Sequence, residues 1–131
     1  MPNYPRVALD FMNNDHAEFV ALRKHLLDLL HSGADHAQVD AMLDSLLEHT
    51  RLHFAEEEQL MLSVQFPPYP MHKGEHDKVL ADMLARAENW KTSRNCKDLS
   101  SWLEHAVRDW FVNHVSSMDF VTAAYIQARS Q

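Results

Sequence analysis

Glycine is almost missing from this chain, with two in 131 residues. An antiparallel β-sandwich needs a turn signal every ~8–12 residues, so this scarcity argues for helices instead. A single cysteine, Cys96, excludes an internal disulfide framework and a zinc finger or ribbon, and fits a reducing compartment. Basic residues are in the minority: 12 Lys and Arg face 19 Asp and Glu, a formal charge of -7. That field repels phosphate backbones and anionic lipid, so nucleic acid is not an expected partner. No stretch approaches the ~18 consecutive apolar residues of a membrane span, and the run from Val7 to Leu9 is too short for a secretory signal. The expectation is a soluble, cytoplasmic protein without membrane insertion. Its length fits one domain over residues 1–131, with an extended N-terminal arm over residues 1–12.

Punctuation falls in few places. Pro2 and Pro5 keep the start extended, Ser32-Gly33 can close a helix, residues 66–70 (Phe-Pro-Pro-Tyr-Pro) read as a loop, and Thr92 to Cys96 is polar. Four periodic segments remain, over residues 13–31, 35–63, 71–90 and 97–127. Asp35 with Gln38 reads as a capping box, as does Asp15 with Glu18. In the first segment Phe19, Val20, Leu22, Leu26, Leu27, Leu29 and Leu30 share one side at helical spacing. Val39, Leu43, Leu46 and Leu60 form a bundle-like seam in the second. Val79, Leu80, Met83, Leu84 and Trp90 supply the third, and Leu103, Val107, Trp110, Val121 and Tyr125 the fourth. Four amphipathic helices with short connections predict an all-α, antiparallel up-down-up-down four-helix bundle.

Ten histidines are the anomaly. His53 and Glu57 occupy seam positions where leucines belong, His72 and His76 share one face of the third helix, and His114 is in register with the apolar stripe of the fourth. Left unpaired, each buried polar group costs roughly 1–3 kcal/mol, and a metal satisfies several at once. In an antiparallel bundle His16, His53, Glu57, His72, His76, His114 and Asp119 all fall at one end. His16 and His25 lie about 180° apart on the first helix, and His16 is nearer the apolar stripe. Asp119 follows His114 by five residues, about 140° round an α-helix, and would reach in from the edge of the face. His49 sits one turn down the axis without a matching partner and reads as structural or exposed; His31, His36 and His105 read as surface residues.

Five imidazoles with two carboxylates are too many ligands for one tetrahedral zinc and, without thiolates, suit a first-row metal such as iron, most simply as a pair of ions. The Glu-x-x-His pairs of carboxylate-rich di-iron oxygenases are absent, as are hydrolase motifs and phosphate loops. The set formed by His53, Glu57, His72, His76, His114 and Asp119, with the stretches HFAEEEQLM, HKGEHDKVL and WFVNHVSSMDF, resembles the hemerythrin family in its bacterial single-domain form. The first helix departs from the family's usual pattern, with NNDH around His16.

That resemblance implies two iron ions with a bridging oxo or hydroxo group. His72, His76 and His114 would hold the coordinatively saturated ion, His16 and His53 the open one, and Glu57 and Asp119 would bridge. It implies reversible binding of dioxygen at the open ion for storage, transport or delivery. An oxygen-consuming enzyme as recipient and a monomer, with an oligomer as the alternative, complete the expectation. Phe19, Phe54, Trp110, Phe111 and Val115 match the family's apolar oxygen pocket, with Phe19 and Phe111 bulkier than the leucines common there. An apolar lining excludes water and offers no general acid to a bound ligand. The residues leave open a di-iron enzyme acting on peroxide or nitric oxide, a sensor acting through a partner, and a metal-free scaffold.

Overall fold

The protein is described by a computed structural model over residues 3–129; Pro2 lies outside the described residues. Helix α1 spans Asp10–Ser32, α2 spans His36–Ser63 and α3 spans Tyr69–Ser93. A fourth helix follows over residues 96–129, and no strand occurs among the described residues. None of these helices is long and apolar enough to cross a membrane.

The helix ends follow from local chemistry. Gly33 closes α1 in the left-handed region at φ 72°, where a side chain would be strained. Asp35 caps α2 by accepting the Gln38 N–H at 2.9 Å, as its position predicts. Helix α3 starts earlier than expected. Tyr69 and Pro70 belong to its first turn, where the amide that proline lacks has no partner within the helix anyway. Arg94 ends α3 at φ 53°, and its guanidinium pays for that strain by gripping Asp40 at 2.6 and 3.2 Å while lying over the Trp90 ring.

Helix α1 also begins before the expected boundary, so residues 10–12 are helical rather than part of the arm. Met12 is fully buried and favours this extension. Asn13 ties the arm down by exchanging two hydrogen bonds with the Val7 backbone, at 2.8 and 2.9 Å. Asp15 with Glu18 therefore caps nothing, because both lie well inside α1.

The core holds Phe19, Leu26, Leu27 and Leu30 of α1 against Val39, Leu43 and Leu46 of α2, Met83 and Trp90 of α3, and Leu103 and Val107 of the fourth helix. Each fully buried leucine contributes roughly 1.5–3 kcal/mol. Leu60 is only half-buried, and Leu84 and Val121 are exposed, at variance with the stripes.

The fourth helix explains the Val121 discrepancy. It runs as α-helix over Cys96–Ser101, widens into a π-turn at Trp102–Val107, resumes over Arg108–His114, widens again at Val115–Asp119, and finishes over Phe120–Arg129. A π-turn bonds each N–H to the carbonyl five residues back and so absorbs an extra residue. Beyond the second one the register has moved on by a position, and Thr122, Ala123 and Ile126 face the core in place of Val121. Arg23 of α1 steadies the first π-turn, its buried Nε–H donating to the Leu103 carbonyl at 2.8 Å.

Candidate metal centre

His16 comes from α1, His53 and Glu57 from α2, His72 and His76 from α3, and His114 and Asp119 from the fourth helix. All seven are buried, and they converge. His25, the competing residue on α1, is exposed, as are His31, His36 and His105.

Asp119 is better placed than α-helical geometry allows. The π-turn that follows His114 brings the fifth residue back over the first, so Asp119 does not reach in from the edge; its Oδ1 lies 3.0 Å from His114 Nε2.

The two carboxylates divide their oxygens between two groups of imidazoles. Glu57 Oε1 faces the Nε2 atoms of His72 and His76 at 3.4 and 3.3 Å, while Oε2 meets His53 Nε2 at 2.5 Å. Asp119 Oδ1 faces His72 and His114 at 3.3 and 3.0 Å, while Oδ2 accepts from His16 Nε2 at 2.9 Å. Two overlapping clusters result: Glu57, His72, His76, His114 and Asp119 form one, and His16, His53, Glu57 and Asp119 the other.

Outward-facing nitrogens are held by partners that sequence reasoning missed. His53 Nδ1 meets Asp15 at 2.7 Å, His72 Nδ1 meets Thr122 Oγ1 at 2.8 Å, His76 Nδ1 meets Glu58 at 2.9 Å and His114 Nδ1 meets Glu75 at 2.6 Å. Such bonds fix the tautomer that leaves Nε2 with its lone pair pointing inward. The available signal was a carboxylate beside a core polar residue: Glu58 next to Glu57, Glu75 next to His76 and Asp15 next to His16. His16 alone lacks such a partner, its Nδ1 being buried without a hydrogen bond.

Inside the cluster the accounting does not close with protein atoms alone. The Nε2 atoms of His72, His76 and His114, both oxygens of Glu57 and Oδ1 of Asp119 are buried with no hydrogen bond of good geometry. So many unsatisfied groups would cost several kcal/mol. The electrostatics give the sign of what is missing. Burial and the Asp119 charge push the Glu57 carboxyl up, yet the charge and close contact of His53 outweigh them and hold it below its ordinary range. Burial likewise opposes ionisation of Asp119, and the close contacts of His114, His16 and His72 overcome it, keeping Asp119 well below its usual value. Burial disfavours charged His53, but Glu57 and Asp15 raise it to about 10; His72 rises to about 9 against the same penalty through Asp119 and Glu57. Two buried carboxylates thus draw in positive charge, and the imidazole and carboxylate donors fit a pair of first-row cations better than protons shared among them.

A cavity of about 10 Å³ touches this cluster on the His16 and His53 side, room for little more than one water-sized molecule. Phe19, Phe54, Trp110, Phe111 and Val115 line it, together with Asp15, His49 and Thr50. Phe19 and Phe111 stack face to face at 4.8 Å, Tyr4 closes on Phe111 edge-on at 5.0 Å, and Trp110 stacks on His114 at 4.9 Å. The Thr50 hydroxyl is engaged with the Leu46 carbonyl at 2.7 Å.

Comparison with known proteins agrees with this geometry. Residues 7–126 match the Hemerythrin HHE cation binding domain. The bacteriohemerythrin of Aquifex aeolicus is 34% identical over 113 residues, 86% of each chain. That of Ralstonia nicotianae is 35% identical over 103 residues, 77% of this chain and 74% of the relative, and the myohemerythrin of Riftia pachyptila is 31% identical over 119 residues, 88% and 82% respectively. A crystal structure of wild-type hemerythrin shares the fold with a TM-score of 0.81 at 23% identity, covering 92% of this chain and 91% of that one. Matched by the family model over residues 7–126 and by relatives 31–35% identical over most of its length, the chain belongs to the hemerythrin family.

Proposed function

We propose that this protein binds dioxygen reversibly at a non-haem di-iron centre, for storage or delivery in the cytoplasm. The observation that carries the reading is the division of each carboxylate between two imidazole groups. One oxygen per carboxylate serves each group, as two bridged cations require.

His72, His76 and His114 would hold one ion, His16 and His53 the other, and Glu57 and Asp119 both. When bound, the iron pair would supply the reducing electrons and the position at which dioxygen binds. The protein's own part is to shape what surrounds that position. Phe19, Phe54, Phe111 and Val115 keep bulk water out, and a cavity of about 10 Å³ leaves no room for a large substrate. The polar side chains at the cavity rim are engaged elsewhere, His49 with the Asp15 carbonyl at 3.1 Å and Thr50 with Leu46, so no free acid waits to protonate a bound ligand. This lining favours release of the ligand intact over its reduction, and so favours a carrier over an enzyme acting on peroxide or nitric oxide.

Metal analysis of the purified protein tests the proposal first, with two irons per chain expected. The reduced, iron-loaded protein should then change its visible spectrum under oxygen and recover under vacuum. One zinc per chain, or irreversible bleaching with steady peroxide consumption, would overturn the reading.

A further inference from the structure

A second group of ligand-type side chains lies beside the buried cluster, and only part of its donor capacity is used by the contacts described so far. Asp15 and Glu18 stand three residues apart on α1, and His49 faces them from α2, with one ligand atom of each within 4.8 Å of the others. His49 is half-buried and Glu18 exposed, so the group forms part of the surface.

The local hydrogen bonds leave it prepared for a cation. His49 Nε2 donates to the Asp15 backbone carbonyl at 3.1 Å, which fixes the tautomer and leaves a lone pair on Nδ1. That nitrogen faces Glu18 Oε2 at 3.8 Å. The gap is too long for a hydrogen bond, yet within the ~4.2 Å that two metal–ligand bonds of ~2.1 Å can span. Among the described ion pairs neither Asp15 nor Glu18 meets a lysine or arginine.

The position matters as much as the donors. Asp15 and His49 line the same small cavity as His16, His53 and Asp119. Asp15 also holds His53 Nδ1 at 2.7 Å, and the His49 ring lies parallel to that of His53, 6.3 Å away. One carboxylate therefore belongs to both the surface group and the support of the buried one.

We propose that Asp15, Glu18 and His49 form an outer site for a divalent first-row cation, which captures ferrous iron at the α1–α2 surface before it enters the buried cluster. The binding of an ion stands on these residues alone; its passage inward rests on the di-iron reading above.

The test uses the iron-loaded protein, washed with a weak chelator and titrated with Mn2+ while free Mn2+ is followed by electron paramagnetic resonance. Wild type is expected to take up one Mn2+ per chain that Glu18→Gln and His49→Gln do not. Glu18 is exposed, so Glu18→Gln should fold normally and reach the wild-type iron content. Its metal-stripped form should take up ferrous iron more slowly, several-fold in initial rate. Equal Mn2+ uptake by wild type and both variants overturns the site, and equal rates of iron uptake overturn its capture role. Should the buried cluster hold something other than two irons, metal analysis of the washed protein reveals it, while the Mn2+ difference still reads the outer site.

Discussion

Replacing Thr122 by valine isolates the role of the groups behind the imidazoles. The Thr122 hydroxyl is buried and meets His72 Nδ1 at 2.8 Å; valine keeps the shape and removes only that partner. In the tautomer that leaves Nε2 free to bind metal, Nδ1 carries the proton and donates to Oγ1. Leaving that N–H buried and unpaired costs about 1–3 kcal/mol. At 1.4 kcal/mol per tenfold this corresponds to a loss of roughly 5- to 150-fold in metal affinity, overlapping the 10–100-fold typical when such partners are removed. The assay is transfer of ferrous iron from the reduced protein to a chromogenic chelator at equilibrium, with urea denaturation of the metal-free form alongside. Thr122→Ser is the control: it loses a methyl group, worth about 1 kcal/mol of stability, but keeps the hydroxyl and should retain iron as wild type does. If Thr122→Val holds iron as tightly as wild type, or Thr122→Ser loses as much affinity, orientation of His72 by this hydrogen bond is refuted.

Three further outcomes are expected. His16→Ala should abolish oxygen binding while His25→Ala leaves the spectrum of the oxygenated protein unchanged, since only His16 is buried against Asp119; the opposite pattern would reassign the first helix. Phe111→Ala should cost about 3–5 kcal/mol in denaturation and speed oxygen release in stopped flow, because it removes the face-to-face partner of Phe19; unchanged release would show that the ring pair does not close the cavity. The metal-free protein should be most stable between about pH 4.5 and 6.5. His53 and His72 are raised, so their contribution is full below their ordinary value of 6.5 and is lost as pH climbs through about 9 and 10. Glu57 and Asp119 are depressed, so theirs is present above their ordinary values of 4.5 and 3.8 and fades in acid. Thermal melts of stripped protein across this range check the sign, and a stability that keeps rising to pH 9 would contradict it.

Much of this arrangement is visible in the chain because buried histidines interrupt regular apolar spacing. His53 and Glu57 stand on a seam with Leu43 and Leu46, and a constant angle per residue suffices to put them inside. The same constant angle fails where the backbone departs from it. No periodicity reveals the π-turn at Val115–Asp119, so Asp119 looked peripheral and Val121 looked buried. The carboxylates behind the imidazoles were hidden for another reason. Glu58 serves His76, Glu75 serves His114 and Asp15 serves His53, each on a neighbouring helix, and pairing across helices depends on how they are rotated against one another. His49 looked partnerless because its partner is a backbone carbonyl, which side-chain spacing cannot show.

One irregular turn thus does two jobs at once. Because the surplus residue is absorbed between His114 and Asp119, the helical stretch behind it swings round as a block, and Asp119, Thr122 and Ile126 arrive on the inner side together. Losing a single residue there, at Ser116 or Ser117, would rewind the helix and withdraw in one stroke both the carboxylate that faces His16, His72 and His114 and the hydroxyl that meets His72.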